Sequence, residues 1–119
     1  SLEQLKGRLT DVTSLRSAIA VLDWDQQTYM PSGGAHARAT TVESLSRIAH
    51  EIFTADETRQ LLDKSKSEVD PNSDEGALVR VVGRDVDLAT KFPSEFVARK
   101  TKLAAIAHED WVKARANND

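Results

Sequence analysis

Leucine, valine and isoleucine recur every three or four positions through the start of the chain: Leu2, Leu5, Leu9, Val12, Leu15, Ile19 and Leu22. At roughly 100° per residue, this spacing lines all of them along one stripe of a helix. The step is close to a heptad and suits packing of the coiled-coil kind. No proline interrupts the pattern before Pro31, and the single Gly7 is a tolerable cost. One continuous first helix is predicted, with its stripe turned to the core.

A second stripe, formed by Ala35, Val42, Leu45, Ala49, Ile52 and Phe53, predicts a helix over about 35–53. Glu43 precedes Arg47 by four residues, the favourable order for a pair on one face. Thr54-Ala55-Asp56-Glu57 reads as a capping box that starts a third helix reaching about residue 69. In Asp70-Pro71-Asn72-Ser73 the proline bars continuation, while Asn72 and Ser73 offer caps to the next helix. A fourth helix, about 74–90, carries Leu78, Val81, Val82, Leu88 and Ala89. Its valines favour strand by propensity, but the polar positions between them alternate poorly, so helix is the reading. Gly83 inside this helix costs roughly 1 kcal/mol against alanine and is read as a mark of close helix approach. Phe92-Pro93 ends it and restarts the chain in a fifth helix, with Pro93 in its first turn. That helix runs through Phe96, Leu103, Ala107, Trp111 and Ala114. The fold class is all-α, a bundle of about five helices in which the long first two are antiparallel.

Between those two helices lies Asp23-Trp24-Asp25-Gln26-Gln27-Thr28-Tyr29-Met30-Pro31-Ser32-Gly33-Gly34. Helix connections are ordinarily short and polar, so a connection with side chains this large is expected to pack or to bind. Trp24 and Met30 are read as anchors of the loop, with Asp25 and Thr28 fixing its backbone. Two charges project into apolar stripes: Arg38 among Val42, Leu45 and Ala49, and Asp85 among Leu78, Val82, Leu88 and Ala89. An isolated buried charge is prohibitively costly, so Arg38 and Asp85 are expected to form a buried ion pair across helices two and four. The alternative is that Arg38 reaches out to solvent and Asp85 meets another donor.

Composition narrows the function classes. With 119 residues, 39% apolar and 29% charged, the chain is one ordinary globular domain. A net charge of −3 weighs against a nucleic-acid partner, and no apolar run approaches a membrane span. The first residues do not read as a signal peptide. The absence of cysteine removes disulfides and zinc thiolates and fits a cytoplasmic protein. His50-Glu51 and His108-Glu109 each begin the zinc-protease pattern His-Glu-x-x-His, but Thr54 and Val112 stand where its second histidine belongs. A packed, hydrogen-bonded role is expected for His50 instead. No serine sits in a nucleophile elbow, and Ser32-Gly33-Gly34 lacks the lysine and spacing of a phosphate loop. Asp23 and Asp25 are read as capping or pairing with basic groups. Within this chain no catalytic, cofactor-binding or metal residue is expected. Ser1 opens directly in a helical pattern and Asn117-Asn118-Asp119 closes without an apolar segment, so part of a longer polypeptide is expected.

These residues resemble the N-terminal region of the carboxypeptidase Taq family of zinc metallocarboxypeptidases. The likeness is carried by the run from Leu22 through Asp23-Trp24-Asp25-Gln26 to Thr28, Met30 and Pro31, similar to that family's Trp-Asp-Gln-x-Thr-x-Met-Pro segment. It continues in order through Gly33 and Gly34, Ala37-Arg38-Ala39, Leu45, Ala49-His50-Glu51, Val79-Arg80, Arg84-Asp85 and Ala89-Thr90-Lys91-Phe92-Pro93. It closes on the segment that begins at Trp111. Gln27, where an acid is common, departs from the pattern. The resemblance implies a largely helical, cytoplasmic, commonly dimeric enzyme that removes C-terminal amino acids from peptides with zinc-activated water. It implies that the metal ligands and catalytic Glu lie beyond Asp119, so none is carried onto this chain. Residues 1–119 would then be a single helical cap or groove-wall region, inactive alone, with zinc or cobalt and the peptide substrates belonging to the longer protein, and a homo-oligomer expected. A stand-alone helical interaction module without enzymatic activity is the alternative.

Overall fold

The computed structural model describes residues 1–28 and 32–117. Five helices follow one another: α1 (Leu2–Thr28), α2 (Ala35–Thr54), α3 (Asp56–Glu68), α4 (Asp74–Thr90) and α5 (Ser94–Ala116), with a short 3-10 turn, Ser32–Gly34, ahead of α2. Among the described residues there is no strand, so the all-α bundle is borne out.

The first stripe behaves as its spacing predicts. Leu5 and Val12 are fully buried, with Leu2 and Leu9 packed beside them. α1 and α2 are antiparallel: Leu22 and Asp25 meet Arg38 near the start of α2, while Arg16 lies 4.9 Å over the Phe53 ring near its end. α3 continues back along α1, with the Arg8 guanidinium donating to Thr58 and Glu57 and the Ser1 amine pairing with Glu68. α5 returns along the other side of α2 through Thr101–Ser46 and Lys102–Glu43 contacts. α2 is thus the shared middle helix of an elongated molecule, 58 × 24 × 21 Å.

Two cores result. The bulkier one joins Leu5 and Val12 to Phe53, Leu62, Val79, Val82 and Val86. The slimmer one sets Ala39 and Val42 against Ala105, with Ile19, Leu22 and Ile106 around them.

Three expectations are corrected. The capping box at Thr54 does not form: α2 continues through Thr54, whose hydroxyl donates back to the His50 carbonyl at 2.8 Å. The single extended residue Ala55 then joins α2 to α3 and accepts from the Arg59 amide at 3.1 Å. On α4 the buried face is Val79, Val82, Gly83 and Val86, whereas Leu78, Val81 and Leu88 are exposed. On α5 the buried residues are Ala98 and Ala105, while Phe96, Leu103 and Trp111 point to solvent. Ser73 does cap α4 as expected, accepting from the Gly76 amide at 3.0 Å.

The two buried glycines of α4 differ in what surrounds them. A Cβ on Gly76 would run into the Asp70 carbonyl oxygen and stand 2.9 Å from Pro71 backbone carbons, which cannot rotate away. A Cβ on Gly83 would meet the Leu62 side chain at an ordinary 3.6 Å, so close helix approach does not demand glycine there. Gly76→Ala is therefore expected to lower stability by about 1–3 kcal/mol. Gly83→Ala should raise it by about 0.5–1 kcal/mol through helix propensity and a stiffer unfolded chain. Urea titrations of the two variants check this pair, and a shared sign would contradict it.

Candidate functional site

Residues 23–28 of the segment read as a loop between helices are the last turns of α1. No breaker precedes Pro31, so α1 runs on through Trp24, Asp25 and Gln26 to Thr28. The Thr28 hydroxyl donates to the Trp24 carbonyl one turn back at 2.8 Å, a bond within the helix rather than across a loop. Trp24 is 57% exposed within this chain. Met30 lies outside the described residues.

Arg38 and Gln26 hold this end of α1 in place. One guanidinium nitrogen of Arg38 donates to the Asp25 carboxylate at 2.7 Å and to the Leu22 carbonyl at 2.9 Å. Both side chains are partly buried, so solvent screens the pair less than an exposed one. Gln26 donates to the Ala105 carbonyl of α5 at 2.8 Å. The last turns of α1 are thereby tied to α2 on one side and α5 on the other.

The pair expected between Arg38 and Asp85 is not formed, because Arg38 is taken by Asp25. Asp85 is exposed on α4, beside Arg16, His50 and Phe53. Arg38 stands twelve residues before His50 on α2, about 18 Å along the axis at 1.5 Å per residue. The two charges therefore sit at different heights along α2.

Each histidine has a defined place. His50 is buried, with Nε2 2.9 Å from the Ala89 carbonyl and Nδ1 2.7 Å from the Ser94 hydroxyl. A carbonyl only accepts, so Nε2 carries a proton and donates to Ala89, while Nδ1 is bonded to the Ser94 hydroxyl. His50 thus fastens the end of α4 and the start of α5 to α2, the packed role its position predicts. His108 stacks on Trp111 with centroids 6.1 Å apart, and His36 is exposed. Among the described residues, no group of three or more His, Asp or Glu side chains is placed to hold a metal ion. With both His50 nitrogens engaged, the described residues do not fit a zinc site.

What the helices do enclose is an open groove of about 710 Å³ between the second half of α1 and the start of α5. Ile19, Asp23 and Gln26 line one wall, and Phe92, Phe96, Lys100 and His108 are among those lining the other. The Phe92 and Phe96 rings stack with centroids 5.7 Å apart and are both exposed at its edge. Such a surface can take an apolar side chain against the rings and a charged group near Lys100 or Asp23. The sequence reading missed this groove. Its one signal was Phe92 and Phe96 four residues apart with a helix start between them.

Comparison with known proteins follows the same outline. The family model described as carboxypeptidase Taq (M32) metallopeptidase matches residues 4–119. Thermostable carboxypeptidase 1 of Pyrococcus furiosus is 29% identical over 119 residues, which is 100% of this chain and 24% of that protein. Thermostable carboxypeptidase 1 of Thermus thermophilus is 28% identical over 108 residues, covering 88% of this chain and 21% of its own length. Carboxypeptidase 1 of Bacillus subtilis is 25% identical over 112 residues, 93% of this chain and 22% of its own. The chain therefore spans about a quarter or less of the length of these curated relatives. No solved structure matches significantly. With nearly every residue aligned to the family model, the chain belongs to the carboxypeptidase Taq (M32) metallopeptidase family.

Proposed function

We propose that residues 1–119 are the N-terminal helical cap or groove-wall region of a longer zinc-dependent metallocarboxypeptidase that removes C-terminal amino acids from peptides. The supporting observation is the family match over residues 4–119 in a chain that spans only 24% of its Pyrococcus furiosus relative. In this reading the hydrolytic machinery belongs to the rest of the polypeptide, and the chain alone is inactive. Zinc, or cobalt in its place, would be held there, acting as a Lewis acid and activating water. The contribution of this chain is shape and positioning. Arg38 and Gln26 fix the end of α1 against α2 and α5, which keeps the groove between α1 and α5 open. Its volume, about 710 Å³, falls within the range of small-ligand sites. Phe92 on one wall and Asp23 on the other suit a stretch of peptide.

The longer protein is proposed to be cytoplasmic and homo-oligomeric, with peptides as substrates and no nucleic-acid or membrane partner. No helix among the described residues is long and apolar enough to cross a membrane. A stand-alone helical interaction module is the second reading, favoured by the exposed apolar rows on α4 and α5.

The two are separated by expressing the native reading frame past residue 119 beside the 119-residue chain. Release of C-terminal amino acids from a peptide is then followed with zinc or cobalt supplied. Release by the longer protein alone is the expected result. A frame that stops at residue 119 would leave the module reading, and a longer protein without release would end the enzymatic one.

A further inference from the structure

α5 has two apolar faces, and this chain uses one. Its inner face is small: Ala98 and Ala105 are buried, and Thr101 donates to the buried Ser46 hydroxyl of α2 at 2.9 Å. The outer face is large: Phe96, Leu103 and Trp111 are 52%, 55% and 56% exposed, with Ala107 and Ala114 between and after them. Leu103 is two residues from Ala105, about 200° round the helix, so the faces are nearly opposite. From Phe96 to Trp111 the outer row extends about 22 Å, some four helical turns. A helix apolar on opposite sides is an interior helix, packed between two layers. Leu103 at the centre of the row carries no polar group, which marks a packing surface rather than a reactive one.

The flanks of this row carry a charge bias. Arg99, Lys100, Lys113 and Arg115 are exposed around it against Glu95 and Asp110, in a chain whose net charge is −3. The Arg115 guanidinium lies 5.4 Å over the Trp111 ring, at the edge of the row.

We infer that the outer face of α5 seats an amphipathic helix with acidic flanks, supplied by the remaining part of the same longer polypeptide. The inference rests on the proposed reading of the chain as one region of that polypeptide. More than three-quarters of the length of the relatives lies outside the matched stretch, enough chain to supply the covering segment. α5 then becomes the middle layer between α2 and the body of the enzyme.

Leu103→Cys tests this directly, since the chain has no cysteine of its own and position 103 is exposed. Maleimide labelling at position 103 is timed by mass spectrometry in the 119-residue chain and in the longer native protein, each checked for folding by circular dichroism. Labelling at least tenfold slower in the longer protein supports the inference, and equal rates overturn it. Slowing that grows with the concentration of the 119-residue chain and matches the longer protein would assign the face to a second copy instead. Adding Lys113→Glu should speed labelling in the longer protein, and an unchanged rate overturns the acidic flank. Slow labelling in a protein that releases no C-terminal amino acid defeats the proposed activity alone. Fast labelling in one that does release it defeats this inference alone. Trp111→Cys repeats the comparison at the far end of the row.

Discussion

His50→Ala is expected to lower the unfolding free energy of the chain by about 2–4 kcal/mol, combining a buried cavity with two lost hydrogen bonds. The imidazole reaches both the last turn of α4, at Ala89, and the first residue of α5, at Ser94. The Ala89 carbonyl keeps the Phe92 amide as a partner at 3.1 Å, so the loss falls mainly on the link between helices. His50→Gln should recover part of it by restoring a single bond. Urea unfolding followed by circular dichroism measures both. A loss under about 1 kcal/mol for alanine would mean that α4 and α5 are held to α2 by packing alone.

The second large effect belongs to the bulkier core. Leu62 is 1% exposed and packs among Leu5, Val12, Phe53 and the α4 valines Val79, Val82 and Val86. Leu62→Ala should cost about 3 kcal/mol, within the range set by lost transfer energy and the residual cavity. Gly83 lies 3.6 Å from a Leu62 methyl, measured from where its own Cβ would be. Gly83→Ala in the same chain therefore places a methyl beside the cavity, and the two changes should combine less unfavourably than their sum. Simple additivity in the double variant would show that the cavity collapses before that methyl can help.

How far the sequence could be read depended on what each helix touches. α1 packs along one stripe, so its three-four spacing gave both the helix and its buried face. α4 and α5 carry apolar residues on two faces, and periodicity ranks neither face as inner. The larger residues, Leu88, Leu103 and Trp111, drew the expectation of burial, yet the internal contacts use valine and alanine. Arg38 failed in a different way: its stripe gave an orientation, while its partner was set by height along α2, where Asp25 rather than Asp85 arrives. Residues 23–28 were misread as loop because side-chain size suggested an anchor, while the lack of a helix breaker decided the backbone there. The family resemblance needed none of this, because it rests on residue order. The groove between α1 and α5 needed all of it, because its walls come from helices far apart in the chain.

Gln26 and Arg38 carry a last consequence. Each reaches across to another helix and ends on a main-chain carbonyl, at Ala105 and at Leu22. Every amino acid supplies that oxygen, so the identity of the residue being gripped is irrelevant to the grip. Positions 22 and 105 are free to drift in size within the packing limits of the slim core, while the demand for an amide at 26 and a guanidinium at 38 persists. At these two carbonyls the junction separates two kinds of constraint, whereas the Arg38–Asp25 ion pair still binds positions 25 and 38 together.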